Sequence, residues 1–352
     1  MARWIIVMCL LVCIAKTQEK VIKVFNVKDY GAIADGKTNN NGGATETNPE
    51  PAAWLAENRT RGYQHLCLIP GPYTKYINHL ILNGGGILDG QGASVWGRKP
   101  VLQTIGFAFI NNGYVHHLSS IDSQNTHFAI FASENMTLAN LNLIAPEDSP
   151  NTDGIKIAMS KWINIERVHI STGDDCIAMI SGAKKVNISN VFCGPGHGIS
   201  VGSLGSDYDE DVQEIFVKNC TFNGTSDGLR IKTRATPSNH TINAYNFRYE
   251  DIIIIDVQHP INIDQEYCPS ADCRNKVPSN VQIRDVHYKN IQGSCNGDVA
   301  VSFKCSEEKP CKNIKVEDIN LWSTQGSKVE LKSFCSHVQG ASYGKQLPQS
   351  CI

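Results

Sequence analysis

From about residue 105, apolar and polar residues alternate in short runs broken by Gly, Asn, Asp and Ser: Met136–Ile144, Ile163–Ile170, Val186–Phe192, Ile215–Phe222, Phe247–Val257, Val281–Ile291 and Ile314–Leu321. A period of two marks a strand with one face buried. The runs begin 27, 23, 29, 32, 34 and 33 residues apart with no helical pattern between them. Strands recurring at such intervals predict a solenoid of stacked coils, a parallel β-helix, rather than a doubly wound sheet.

A second set of strings recurs inside this pattern. Asp153-Gly154-Ile155-Lys156-Ile157, Asp175-Cys176-Ile177-Ala178-Met179 and His197-Gly198-Ile199-Ser200-Val201 stand 22 residues apart, and Asp227-Gly228-Leu229-Arg230-Ile231-Lys232 follows after a longer loop. In each, the second and fourth residues after the first are apolar and face the core. If consecutive coils stack at ~4.8 Å per rung, Asp153, Asp175 and His197 lie over one another, and Arg230 and Lys232 point outward together. Asparagines near the run starts, Asn135, Asn164, Asn187 and Asn313, suit amide ladders along the axis.

Residues 37–65 break the pattern with an Asn/Gly/Thr/Pro-rich stretch and a short helical candidate at 52–58, as a polar end cap would. Residues 1–18 read as a secretory signal: Arg3 precedes the ten apolar residues Ile5–Ile14, too few to span a bilayer. Residues 19–352 then form a single soluble, secreted solenoid domain, expected to be a monomer. Six Asn-x-Ser/Thr sequons, at Asn58, Asn135, Asn187, Asn219, Asn223 and Asn239, fit that compartment.

Formal charge is −2, or −4 once Arg3 and Lys16 leave with the signal. No basic face stands out, which excludes nucleic acid as a partner and requires that a polyanion be recognised locally. Of 13 cysteines, Cys9 and Cys13 lie in the signal. In an oxidising compartment the pairs Cys176/Cys193, Cys268/Cys273, Cys305/Cys311 and Cys335/Cys351 are expected, leaving Cys67, Cys220 and Cys295. The spacings do not suit a metal site, and no metal or other cofactor is expected.

Asp174 adjoins Asp175, with Asp153 one coil away. Three close carboxylates repel, so one should hold its proton to higher pH. Such a set supplies an acid and a base, the division of labour that glycoside hydrolysis requires. Arg230 and Lys232 nearby suit an anionic substrate.

Asn151-Thr152-Asp153, Gly173-Asp174-Asp175, Gly196-His197-Gly198 and Arg230-Ile231-Lys232 together resemble the four signature motifs of the polygalacturonases of glycoside hydrolase family 28, in order. The resemblance implies a right-handed parallel β-helix, all-β, that hydrolyses α-1,4 bonds of polygalacturonate with inversion and without a cofactor. It also implies that Asp174 is the general acid, that Asp153 and Asp175 activate water, and that His197 tunes the acid. Arg230 and Lys232 would bind substrate carboxylates, and Tyr267, in Asp264-Gln265-Glu266-Tyr267-Cys268, would line the cleft. Finer details look most like the plant exo-acting, pollen-type branch, with endo action as the alternative. Segment 38–80 departs from the family: the interval from Phe25–Thr38 to Leu88-Asp89-Gly90-Gln91-Gly92 is too short for a full coil. A calcium-dependent pectate lyase, an inactive pectin-binding wall protein and a rhamnogalacturonan hydrolase are the competing readings; the paired cations count against the last.

Overall fold

The computed structural model describes residues 23–26, 77–97, 103–236, 239–268, 277–326 and 330–352. The expected signal, the Asn-rich segment with its helical candidate, most of segment 38–80, Cys67 and Asn58 lie outside the described residues, as does Cys273.

The chain is a right-handed parallel β-helix. Its strands alternate between two walls, and every pairing is parallel. Right-handed crossovers are the rule for such connections. The short-strand wall holds Ile105–Ala108, Phe128–Phe131, Ile155–Ala158, Ile177–Met179, Ile199–Leu204, Asp227–Arg234, His259–Tyr267, Val299–Lys304 and Lys332–Ser336. The facing long-strand wall includes Ile110–Ile121, Glu134–Ile144, Lys161–Ser171, Lys184–Cys193, Val212–Asn223, Ile242–Val257, Val281–Cys295 and Cys311–Ser323. Each apolar run read from the sequence lies on this second wall. Among the described residues the only helical element is the turn Gly92–Ser94.

Stacked identical positions fill the lumen. Ile155, Ile177, Ile199, Leu229, Ile261 and Val301 form one column, and Ile157, Met179, Val201, Ile231, Ile263 and Phe303 the next. All twelve are buried. Burying each such side chain stabilises the coil by about 1.5–3 kcal/mol, and branched side chains suit the pleated surface. Three of the four expected disulfides are described: Cys176–Cys193, Cys305–Cys311 and Cys335–Cys351. Cys220 and Cys295 are free and buried.

The long strands bend at two left-handed residues per coil. One column is Asn112, Asn135, Trp162, Lys185, Glu214, Asn246, Asp285 and Asn313; the other, five residues later, is His117, Asn140, Arg167, Asn190, Asn219, Asp251, Asn290 and Asp318. Asn and Asp tolerate this conformation best, and here the amide ladders form. Asn135 donates to Asn112, Asn219 to Asn190 at 2.6 Å, Asn290 to Asp251 at 2.8 Å and Asn313 to Asp285 at 2.7 Å. The expectation for Asn164 and Asn187 is corrected. They pair in register on the strand two residues past the corner, with extended backbones, and no hydrogen bond joins their amides.

Candidate active site

The four sequence strings lie side by side on the short-strand wall. Ile177 pairs with Ile155 on one side and Ile199 on the other, and Ile199 with Leu229, so the carboxylates at the strand starts lie on successive rungs. Gly154 N–H donates to Asp175 O at 2.9 Å, tying the first two together.

His197 meets both members of the Asp174–Asp175 pair. Its backbone N–H donates to Asp174 O at 2.8 Å, and its Nδ1 lies 3.1 Å from Asp174 Oδ1. The ring bonds Asp174 while its ligand atom stays within 4.8 Å of Asp175. Gly198, with a φ of +81°, turns the chain just before the strand; a Cβ there would lie 2.2 Å from Asp227 O. The ladder slips accordingly, with Cys176 N–H bonding Gly198 O.

Each carboxylate has a distinct set of partners. Asp153 Oδ1 accepts from Lys156 Nζ at 2.9 Å. Asp175 is fully engaged, with Ser200 Oγ donating to Oδ1 at 2.7 Å and Lys232 Nζ to Oδ2 at 2.6 Å. Asp174 Oδ1 accepts from the Asp175 backbone N–H at 2.7 Å as well as facing His197. The Asp174 side chain is 24% exposed, against 5% for Asp153 and 4% for Asp175. It is the most exposed of the three.

Burial pushes Asp153 up to about 6, and the charges of Asp174 and Asp175 add to it, while Lys156 opposes. Burial also acts upward on Asp174, but the hydrogen bond and charge of His197, the Asp175 N–H and Lys232 outweigh it and hold Asp174 below its usual value. The hydrogen bond to Asp174, with the charges of Asp174 and Asp175, raises His197 against its partial burial. Mutual repulsion thus shows on Asp153, while Asp174 and His197 hold one proton between them.

The cationic side is equally built. Arg230 Nη1 lies 3.2 Å from Asp227 Oδ2 and 4.0 Å from Asp175 Oδ1. The Tyr267 ring sits over both cations, its centroid 5.2 Å from Arg230 Cζ and 5.4 Å from Lys232 Nζ. All seven residues singled out by sequence therefore converge. Lys232, expected to point outward and bind substrate carboxylates, is buried and bonded to Asp175.

Sequence reading missed Asp227, Ser200 and Asn262. Asp227 receives Ser226 Oγ at 3.2 Å and Asn262 Nδ2 at 2.9 Å as well as Arg230. Its signal was present in the repeated order Asp-Gly-x-(Lys/Arg). Among the described residues, one trio offers metal-ligand atoms within 4.8 Å of one another, namely Asp174, Asp175 and His197. The Lys232 ammonium already supplies positive charge to it.

Residues 71–343 match the family model described as glycosyl hydrolases family 28. A polygalacturonase of Brassica napus is 41% identical over 286 residues, 78% of this chain and 72% of that protein. An exopolygalacturonase of Platanus acerifolia is 38% identical over 282 residues, 77% and 74% of the two chains. In fold, the chain resembles the crystal structure of a hyperthermoactive exopolygalacturonase from Thermotoga maritima, with a TM-score of 0.67 at 18% identity over 91% of this chain and 90% of that one.

Proposed function

The chain belongs to glycosyl hydrolases family 28, and from that premise we propose that it hydrolyses the α-1,4 galacturonosyl bonds of polygalacturonate with inversion, acting from chain ends. The observation that carries this reading is the pairing of the accessible Asp174 with His197, two buried carboxylates beside it and a ring-covered cation opposite.

Asp174 passes to the leaving oxygen a proton drawn from the His197 imidazolium that bonds it, leaving the imidazole neutral, since a glycosidic oxygen reaches Asp174 more readily than the buried Asp153. On the other side of the anomeric carbon, Asp153 takes a proton from water. A carboxyl raised to about 6 is a stronger base, when ionised, than an ordinary one, and its value lies near a working pH. Asp175, fixed by Ser200 and Lys232, orients that water. Arg230 holds a substrate carboxylate, and Tyr267 packs against the sugar.

Exo action rests on the detailed likeness of the motif segments to pollen-type enzymes. Secretion rests on the apolar run at residues 5–14 and extends the reading to plant cell-wall pectin, with the protein working as a monomer. Early-time proton NMR of a polygalacturonate digest tests the chemistry: the β-anomer of the new reducing end should appear first, as direct displacement by an activated water on the face opposite the leaving oxygen requires. Initial accumulation of the α-anomer would refute the roles given to Asp153 and Asp175. Product sizing in the same digest reads the mode, monomer from the outset for exo and an oligomer ladder for endo.

A further inference from the structure

Two cations on the short-strand wall are held by the same device. Lys156 is bonded to Asp153, three residues before it, at 2.9 Å, and Arg230 to Asp227, three residues before it, at 3.2 Å. The register sets Lys156 beside Ala178, Ala178 beside Ser200, and Ser200 beside Arg230. The two cations therefore share one outward row, three rungs apart, about 14 Å at ~4.8 Å per rung. Asp174, Asp175 and His197 belong to the two coils between them, and only the small side chains of Ala178 and Ser200 stand in the row.

A polyanion lying along the solenoid axis over Asp174 would meet a cation at each end of the site. Of the three cations bonded to the site's aspartates, Lys156 is the most accessible, its side chain 33% exposed against 12% for Arg230 and 8% for Lys232. One of its three ammonium donors is used by Asp153, which leaves two for a ligand.

We propose that Lys156 is a second carboxylate-binding residue of the cleft, placed across the catalytic carboxylates from Arg230, where it holds a uronate unit on the far side of the cleaved bond. The proposal rests on polygalacturonate being the substrate. The competing role is local, with Lys156 doing no more than balance the charge of Asp153.

The two roles separate by substrate charge. For Lys156→Met and Lys156→Arg, kcat and KM are measured on polygalacturonate and on highly methyl-esterified pectin, with circular dichroism to check the fold and Lys156→Gln as the alternative if the methionine variant misfolds. Loss of a partly exposed charge-assisted contact should raise KM on polygalacturonate roughly three- to tenfold. The change on esterified pectin should be much smaller, because the uronate charge is masked there, and Lys156→Arg should keep the wild-type ratio. Equal losses on both polymers, or a loss confined to kcat, would overturn the proposal and assign Lys156 to Asp153 alone. Wild-type enzyme that releases no reducing ends from polygalacturonate would instead sink the underlying substrate reading, and the proposal with it, before any variant is compared.

Discussion

Gly173→Ala is a test of how the acid is aimed. Gly173 precedes Asp174 and packs against the preceding coil: its N–H donates to Thr152 Oγ1 at 2.9 Å, and Thr152 lies 2.6 Å from Ser149 Oγ. A Cβ at residue 173 would lie 2.1 Å from Ser149 O, where ordinary contact begins at 3.4 Å. About 1.3 Å must be made up, and the obstacle is the backbone of the buried Ser149 rather than the end of a flexible side chain. If the movement falls on Asp174, displacement on the scale of 1 Å costs about 10²-fold in turnover, or roughly 2.7 kcal/mol. The overpacking itself adds a stability loss of about 1–3 kcal/mol. Reducing-end release from polygalacturonate gives kcat, and thermal unfolding followed by circular dichroism reads the second effect. Turnover within threefold of wild type, with an unchanged Tm, would show that the Ser149 contact does not set the position of Asp174.

Asp174→Asn should leave the fold intact and lower kcat ~10²–10⁴-fold, because an amide cannot protonate the leaving oxygen; more than a tenth of wild-type turnover in a properly folded variant contradicts the assignment. The pH profile of kcat/KM should be bell-shaped. It should rise as Asp153 loses its proton near pH about 6 and fall above 6.5 as His197, whose value is raised, loses the proton that it shares with Asp174. An acid limb near the ordinary carboxylate value of ~4 would remove Asp153 as base, and a profile whose alkaline limb survives His197→Asn would remove His197 as its cause.

Much of this was legible in the sequence because stacked coils translate sequence spacing directly into spatial neighbours. The 22-residue interval placed Asp153 and Asp175 on adjacent rungs, and the alternation placed Ile155 and Ile177 in the lumen. What the spacing could not carry was any local change of backbone direction. Gly198 lies in the left-handed region between His197 and its strand, and His197 bonds Asp174, a partner that the 22-residue interval from Asp175 to His197 does not indicate. Outward alternation likewise says nothing about depth: Lys232 does point away from the lumen, yet a salt bridge to a residue 57 positions earlier buries it. Asp227 was only half visible: its partner Arg230 is three residues along the same strand, but the bond from Asn262 exists only once two coils are side by side. The corner asparagines were half visible; the left-handed conformation that favours them was not.

The two corner columns have a further consequence for how such a molecule can change. Their spacing within a coil is five residues in all eight coils, whereas the distance from one coil's first corner to the next ranges from 23 to 39 residues. Length variation is thus absorbed entirely outside the bent segment, so the rigid back of the molecule acts as a fixed chassis while segments elsewhere in the coil lengthen or shorten independently. Grafting a longer or shorter connection onto one coil should therefore reshape the surface beside that coil without resetting the rungs that carry Asp153, Asp174 and Asp175, so that the surroundings of the carboxylates and their own arrangement can be varied separately.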